Sequence, residues 1–310
     1  MVDDLAGVKS GETVLVIADS SCDFDIAKAV AFVSAERGAE VVLETVMTDR
    51  SIPCNSLMSS VLKEADVVFD LTSDMRIFAS EGRYAACARG TRYMWVAQVS
   101  YDMLTTGGMT ANFHEQKPVV EKLSKHFAVA KYANMTTTHG TNVSFRMEGA
   151  HINEFHGFCL NPGDVSMAPV IETNVLPIRG TCNGVVVVDV GVIRSPIGIV
   201  KEPITFTVKD GKVVKIQGGE EAQELERLLE KAGNPNVYEI CEFAVGLNPK
   251  ISLTGDLASV TAMGTAHLAI GTNIVLGGEI KAPLHFNLVV RHPTVALDEK
   301  LIMKNGKLLI

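Results

Sequence analysis

The sequence predicts two domains: an α/β, Rossmann-like domain with a parallel sheet and helices on both faces, then a β-rich α+β domain. The first is indicated by short apolar runs, rich in β-branched residues, that alternate with stretches of helical periodicity. The second is indicated by short strand-like runs separated by Gly, Pro and Asn from about Thr141 onward. We therefore expect domains at residues 1–135 and 136–310, the second carrying the catalytic groups.

In the first half, strand and helix patterns take turns along the chain. Gly38 and Gly90 follow two of the helical stretches, where glycine commonly ends a helix. Asp23 or Asp25 is expected to cap the first helix. The predicted strands are 13–18, 40–45, 66–71, 93–99 and 127–134, and the predicted helices are 25–37, 55–64, 77–89 and 115–126.

The first strand-to-helix turn argues against a dinucleotide site. Its sequence, ADSSCDFD, lacks the closely spaced glycines that let backbone amides approach a pyrophosphate. An α/β domain without that function is therefore predicted.

The second half is predicted to be mainly strands. A Lys209-Asp210-Gly211-Lys212 turn indicates a hairpin between two of them. The predicted strands are 142–147, 184–192, 204–209 and 213–217, with one helix at 220–232.

Composition limits the classes of function. A net charge of -8 and a pI near 5.5, without a dense run of Lys or Arg, argue against a nucleic-acid partner. No apolar run is long enough for a membrane span and no signal sequence is recognised, so a cytoplasmic location is predicted. The cysteines, which form no C-x-x-C pair, are expected to be reduced: Cys22, Cys54, Cys87, Cys159, Cys182 and Cys241.

Two histidines in the C-terminal part indicate a metal site. His267 lies in the strand-like segment AHLAI, and His285 lies two residues before Asn287 in LHFNLVV. Side chains two apart on a strand share a face, so His285 and Asn287 can chelate an ion that His267 completes. The alternative is that each histidine is an ordinary buried residue with satisfied hydrogen bonds.

Three acidic residues next to turns are candidates for catalytic roles. Asp164 stands in NPGDVSMAP, Glu172 in VIET, and Glu242 in ICEFAVGLNP. A carboxylate in such apolar context needs a cation, hydrogen-bond donors or a proton. Taken singly, each is also explained as a turn cap or a partner in a salt bridge.

The order of these motifs resembles one known group of enzymes. The segments PGDVSMAPVIE, EFAVGLNP, GTAHLAIGTN and LHFNLVVRHPTVALD resemble the metallo-aminopeptidase T/S superfamily, the thermophilic metalloproteases. That superfamily includes the iron-dependent 2,5-dihydroxypyridine 5,6-dioxygenases. The resemblance covers nearly the whole chain, and it does not choose the reaction.

The resemblance also suggests a role for each residue. Asp164 falls where the peptidases carry a metal-binding Glu, and Glu242 on their second acidic ligand. His267 and His285 match metal-ligand histidines, and Asn287 falls on the Asp of an H-x-D pair. The shorter Asp164 and the neutral Asn287 are departures that should weaken a two-metal cluster.

We therefore expect a metalloenzyme acting on a small polar or N-heterocyclic aromatic molecule, with one Fe(II) held by His267, His285 and Asn287. Zn, Co and Mn are the other metals considered. Asp164, Glu172 and Glu242 are expected to orient ligands or transfer protons. A metallo-aminopeptidase with one or two ions and a non-catalytic small-molecule-binding relative remain alternatives. A homo-oligomer is expected, since a β-rich half with few helices leaves sheet surface to cover.

Overall fold

The computed structural model describes residues 1–47, 54 and 56–310. The helices are α1 (Phe24–Glu36), α2 (Ser56–Glu64), α3 (Glu81–Ala88), α4 (Tyr101–Thr105), α5 (Phe113–Val129) and α6 (Glu220–Lys231). The strands are β1 (Thr13–Asp19), β2 (Glu40–Val46), β3 (Val67–Asp70), β4 (Arg92–Trp95), β5 (Tyr132–Thr136), β6 (Asn142–Arg146), β7 (Ile152–Phe155), β8 (Val165–Met167), β9 (Glu172–Val175), β10 (Asn183–Val188), β11 (Gly191–Ile193), β12 (Gly198–Ile199), β13 (Ile204–Lys209), β14 (Lys212–Gln217), β15 (Ile240–Gly246), β16 (Thr265–Gly271), β17 (His285–Arg291), β18 (Thr294–Leu297), β19 (Lys300–Lys304) and β20 (Lys307–Leu308).

The described residues divide into two compact units, each built from two segments of the chain. The first contains Met1–Phe113 and Phe155–Val170, and the second contains His114–Glu154 and Ile171–Ile310. The predicted border at 135/136 falls inside β5, which pairs with β6 and β18 of the second unit. Each unit therefore contains residues from both sides of the predicted border.

The first unit is organised around a parallel sheet. Its strand order is β2-β1-β3-β4-β8, and the paired strands run parallel throughout. The last strand, β8, arrives from the segment after β7 and pairs with β4. The predicted parallel sheet with helices is confirmed here.

Two helices begin where polar side chains cap them. Asp23 accepts a hydrogen bond from the Asp25 backbone N–H at the start of α1, as the sequence predicts. The second is α3, predicted from residue 77 but starting at Glu81 because Ser80 caps it through the Arg83 N–H. The predicted helix start at residue 55 lies outside the described residues.

The second unit contains two antiparallel sheets. One runs β14-β13-β10-β6-β5-β18-β19-β20 and the other β12-β11-β17-β16-β15-β9-β7. The continuous strand predicted at 184–192 is two strands, β10 in the first sheet and β11 in the second. The predicted strand 127–134 is also shorter, since α5 continues through Val129.

An aromatic cluster joins the sheets of the second unit. Phe243 on β15 contacts Phe145 on β6, with ring centroids 5.1 Å apart, and Phe127 of α5 at 6.1 Å. All three rings are buried. This packing uses one face of β15, so the neighbouring side chains Glu242 and Ala244 point to the other face of the sheet.

A buried carboxylate in the first unit should make stability depend on pH. Asp70 at the end of β3 accepts hydrogen bonds from Thr72 and Tyr93, yet burial raises its pKa from 3.8 to about 6. The folded protein therefore binds this proton more tightly than the unfolded chain, and the stability present at low pH is lost as the pH rises from about 4 through 6.

We predict that Asp70→Asn removes this pH dependence, because the amide keeps an acceptor for Thr72 and carries no charge. The free energy of unfolding of the natural protein should fall by about 2 kcal/mol between pH 4 and pH 7 relative to the variant. Urea unfolding of both proteins across this range measures the difference. Parallel pH profiles would contradict the prediction.

Candidate metal centre

One face of the second antiparallel sheet collects buried polar side chains from four neighbouring strands. The order β9-β15-β16-β17 brings these strands side by side, and residues paired across strands share a face. The buried polar residues on this face include Glu172, Asn174, Glu242, His267, His285 and Asn287.

Small residues leave room for these side chains. Asn174 pairs with Ala244, which pairs with His267, and Asn287 pairs with Ala269. Gly271 lies opposite His285, and a side chain there would meet the Leu284 carbonyl. The polar groups are therefore separated by short side chains rather than by bulky apolar ones.

A bulge in β15 decides where Glu242 points. Ile240 pairs with Ile270 and Glu242 with Ala269, so one residue of β15, Cys241, is unmatched. In an unbroken register Glu242 would lie opposite Leu268 and would face the aromatic cluster. The bulge places its carboxylate on the face that carries His267.

Glu242 lies between the two histidines. Its Oε1 is 3.9 Å from His267 Nε2, and its Oε2 is 3.2 Å from His285 Nε2. The Oδ1 of Asn287 is 2.8 Å from the same His285 nitrogen. The structure thus places Asn287 beside His285, and it adds Glu242, whose two carboxylate oxygens face His285 and His267.

Backbone carbonyls determine which histidine nitrogens face this centre. His285 Nδ1 is 2.7 Å from the Thr272 carbonyl, and His267 Nδ1 is 3.3 Å from the Val260 carbonyl. A carbonyl can only accept, so each Nδ1 carries the proton and each neutral ring presents the Nε2 lone pair. Metal-binding histidines are oriented in the same way.

Glu172 belongs to β9, which pairs with β15 on the side away from β16. Ligand atoms of Glu172, Glu242 and His267 all lie within 4.8 Å of one another. Asn174 Nδ2 donates to Glu172 Oε1 at 3.4 Å, whereas the buried Glu172 Oε2 has no hydrogen-bond partner among the described residues. A buried oxygen without a partner costs about 1–3 kcal/mol and requires an explanation such as a bound ion.

Burial and proximity shift the pKa values of these groups in opposite directions. Burial raises the pKa of Glu172 to about 7, with His267 opposing the shift and Glu242 adding to it. Burial alone would raise the pKa of Glu242, but His267 and His285 hold it well below its usual range. Burial lowers the pKa of His267, but Glu242 and Glu172 outweigh this and raise it.

The donor set fits a divalent metal. Two Nε2 lone pairs, the Glu242 carboxylate and the Asn287 carbonyl oxygen are all electron-pair donors, and they converge in a buried space. Without a cation or additional protons these atoms would repel one another. The unpartnered Glu172 Oε2 adds a further acceptor to the same space.

Asp164, the remaining predicted acidic residue, has hydrogen-bond partners of its own. Asp164 belongs to the first unit, and its Oδ2 accepts hydrogen bonds from the backbone N–H groups of Leu160 and Asn161 and from the Asn161 side chain. These bonds close the turn that precedes β8. The carboxylate thus has the turn-capping role that the sequence left as an alternative.

Asn174 was missed by the sequence interpretation. Its side chain is buried and contacts Glu172, and Asn153 donates to it in turn at 2.9 Å. A signal existed, because Glu172 and Asn174 are two apart in a short strand and therefore share a face. Asn153 is brought near by β7, which no local pattern could have shown.

Comparisons with known structures agree with the fold. No helix among the described residues is long and apolar enough to cross a membrane. Over 97% of this chain, the structure is similar to that of 2,5-dihydroxypyridine dioxygenase from Pseudomonas putida KT2440, with a TM-score of 0.85, 20% identity and 93% of that chain covered. AmpT from Thermus thermophilus is similar over 97% of this chain and 95% of its own, with a TM-score of 0.67 and 12% identity. The predicted fold class, an α/β part followed by a β-rich part, is confirmed.

Sequence comparison gave a family. A curated 2,5-dihydroxypyridine 5,6-dioxygenase from Pseudomonas putida is 28% identical over 162 residues, a segment that spans 49% of this chain and 46% of the relative. The model of the 2,5-dihydroxypyridine 5,6-dioxygenase family matches residues 3–310, nearly the whole chain. The predicted resemblance is therefore confirmed, and the chain belongs to the 2,5-dihydroxypyridine 5,6-dioxygenase family, a family of enzymes.

Proposed function

We propose that this protein is a dioxygenase that cleaves a dihydroxypyridine-type ring with one Fe(II) held by Glu242, His267 and His285. The observation that carries the proposal is the position of the Glu242 carboxylate, 3.2 Å from one histidine Nε2 and 3.9 Å from the other. Family membership supports the reaction class.

Two histidines and one carboxylate that leave coordination positions open are the ligand set of many non-haem Fe(II) oxygenases. The sequence-based set had Asn287 in place of Glu242. In the present proposal Glu242 is a ligand, and Asn287 Oδ1, next to His285 Nε2, supplies a further oxygen to the same ion. Zn, Co and Mn also bind such nitrogen and oxygen donors.

When bound, Fe(II) supplies the one-electron chemistry by which dioxygen reacts with an organic ring. The protein groups hold that ion, fix the histidine rings through the Thr272 and Val260 carbonyls, and exclude bulk water. Exclusion follows from burial, since His267 and Glu242 are only 1% and 3% exposed.

Glu172 is the group that we assign to proton transfer. Burial raises its pKa to about 7, where a carboxyl group can both accept and release a proton near neutral pH. Its Oε2 has no partner among the described residues and is free to take the proton of a ring hydroxyl.

The alternative of a metallo-aminopeptidase differs in the number of ions. As inferred from the sequence, that activity depended on Asp164 together with Glu242 and both histidines. The Asp164 carboxylate is engaged in the hydrogen bonds of a turn, which favours the single-ion proposal. The third alternative, a non-catalytic binding protein, requires no metal.

Two further properties stay proposals. A cytoplasmic location is supported by the six cysteines, which form no disulfide in the part of the chain that the structure describes. We also propose a homo-oligomer, and sedimentation should give a multiple of 33.3 kDa. A 33.3 kDa species at micromolar concentration would contradict it.

The activity is tested with protein purified without oxygen and loaded with Fe(II). We expect oxygen consumption with 2,5-dihydroxypyridine and none with aminoacyl amides, because the proposed site would hold one ion beside a proton acceptor. Hydrolysis of aminoacyl amides by protein containing two ions would support the peptidase instead.

Metal content provides a second test, independent of substrate. The natural protein should bind about one Fe(II) per chain, and Glu242→Gln should weaken binding by more than the roughly 100-fold seen for residues that only surround a ligand. Calorimetry with Mn(II) or Fe(II) measures this affinity.

The matched control is Glu239→Gln. Glu239 is equally buried, but its carboxylate pairs with Arg179 and Lys212 at 2.8 and 3.1 Å and faces no histidine. This variant should keep the natural metal affinity. Equal losses in both variants would mean that Glu242 acts only on folding.

Restoring a charge at Asn287 should strengthen the site. We predict that Asn287→Asp raises the affinity for divalent metal roughly 10–100-fold, because a carboxylate replaces a neutral oxygen beside His285 Nε2. The metal-free variant should unfold at a lower temperature, since a third buried carboxylate then lies near Glu242.

Thermal melts of both proteins with and without Mn(II) measure the effect. The variant should show the larger increase in melting temperature on adding metal. A variant that melts lower and gains nothing from metal would show that Asn287 is an ordinary buried amide.

A further inference from the structure

A chain of side-chain amides leads from the edge of the sheet to Glu172. His151 Nε2 lies 3.1 Å from Asn153 Oδ1, and Asn153 Nδ2 lies 2.9 Å from Asn174 Oδ1. Asn174 Nδ2 then lies 3.4 Å from Glu172 Oε1. All four residues belong to the second unit, and burial increases from the exposed His151 to the buried Asn174.

The direction of every hydrogen bond in this chain is set by one backbone group. Asn153 Nδ2 also lies 3.0 Å from the Leu276 carbonyl, which can only accept. Asn153 must therefore turn its NH2 toward Leu276 and Asn174, and its oxygen toward His151. Asn174 receives a donor on its oxygen, so its own NH2 faces Glu172.

We propose that Asn153 and Asn174 are positioning residues that hold Glu172 Oε1 and thereby leave Oε2 as the oxygen that faces the metal centre. The assignment rests on the proposed function for its catalytic meaning, because Glu172 is there the proton-transfer group. The positioning itself is a property of the protein alone.

Two observations support the proposal. Asn174 is the donor that the described residues offer to Glu172, so nothing else there fixes the carboxyl group. The loop that supplies the Leu276 carbonyl is itself held, since Asn273 Oδ1 accepts from the Ile280 N–H and its Nδ2 donates to the Cys241 carbonyl. The orientation of Glu172 thus depends on a rigid loop through two amides.

The test reverses the direction of the hydrogen bonds between these side-chain amides. Asn153→Asp replaces the NH2 with an oxygen of the same size at a half-buried position. Asn174 should then turn to donate to the new carboxylate and present its oxygen to Glu172 Oε1, where two acceptors repel. At pH 8.5 we expect the melting temperature to fall by about 2–4 °C.

A second substitution should compensate for the first, although residues 153 and 172 do not hydrogen-bond to each other. The side-chain amide introduced by Glu172→Gln can donate its NH2 to the reversed Asn174. Asn153→Asp should therefore lower the melting temperature of the Glu172→Gln protein by less than that of the natural protein, and the loss of the donor to the Leu276 carbonyl remains in both backgrounds.

Two controls separate amide orientation from other effects. Asn134 Nδ2 makes the same pair of contacts in the other sheet, to Asn142 Oδ1 and the Val143 carbonyl, each at 3.3 Å. His151→Asp adds a negative charge two residues before Asn153, next to β7, and leaves the Asn153 side chain itself unsubstituted. Neither Asn134→Asp nor His151→Asp should show compensation by Glu172→Gln.

The outcomes decide the proposal. An equal loss from Asn153→Asp in both backgrounds would overturn it, and so would compensation of the same size for His151→Asp. If the compensation is found, Asn153→Asp should also lower kcat for the ring substrate by about 10-fold with KM unchanged. Compensation in a protein that lacks dioxygenase activity would uphold the positioning and refute the proposed function.

Discussion

The candidate site depends on the electrostatic relation between Glu242 and the two histidine Nε2 atoms. Because the Thr272 and Val260 carbonyls accept from each Nδ1, each Nε2 faces the carboxylate as a lone pair in a neutral ring or as a donor in a protonated one. A buried group of acceptors is stable only with a positive charge among them. A bound cation supplies that charge, and in the metal-free protein a proton on His267 supplies it, since Glu242 and Glu172 raise the pKa of this ring.

The sheet supports this arrangement through register and residue size. The bulge at Cys241 turns Glu242 toward the histidines. The small side chains of Ala244 and Ala269 leave space between the polar groups. The opposite face of β15 carries Phe243, which packs on Phe145 and Phe127. One face of β15 therefore packs in the apolar core and the other carries the polar centre. A shift of its register by one residue would move each side chain to the opposite face.

Much of this could be predicted from the sequence, but not all of it. The spacing of His285 and Asn287 placed both on one strand face, and the glycine-punctuated runs predicted the strands that carry the histidines. Sequence could not assign Glu242 to the same face, because the bulge that turns it depends on pairing with β16. Asp164 looked equivalent to Glu172 in its local sequence, yet residues 155–170 return to the parallel sheet of the first unit, whereas Glu172 belongs to the second unit. Such long-range pairings also brought Asn153 beside Asn174, 21 positions away.

The most direct measurement of the central claim is a crystal structure of protein soaked with Mn(II) or Fe(II), with an anomalous difference map calculated at the metal's absorption edge. The account predicts one strong peak per chain, bonded to Glu242, His267 Nε2 and His285 Nε2, at about 2.0–2.2 Å. An empty map at this position, with the Asn287 amide turned to donate its NH2 to His285 Nε2, would show that the acceptors are satisfied without a metal and would contradict it.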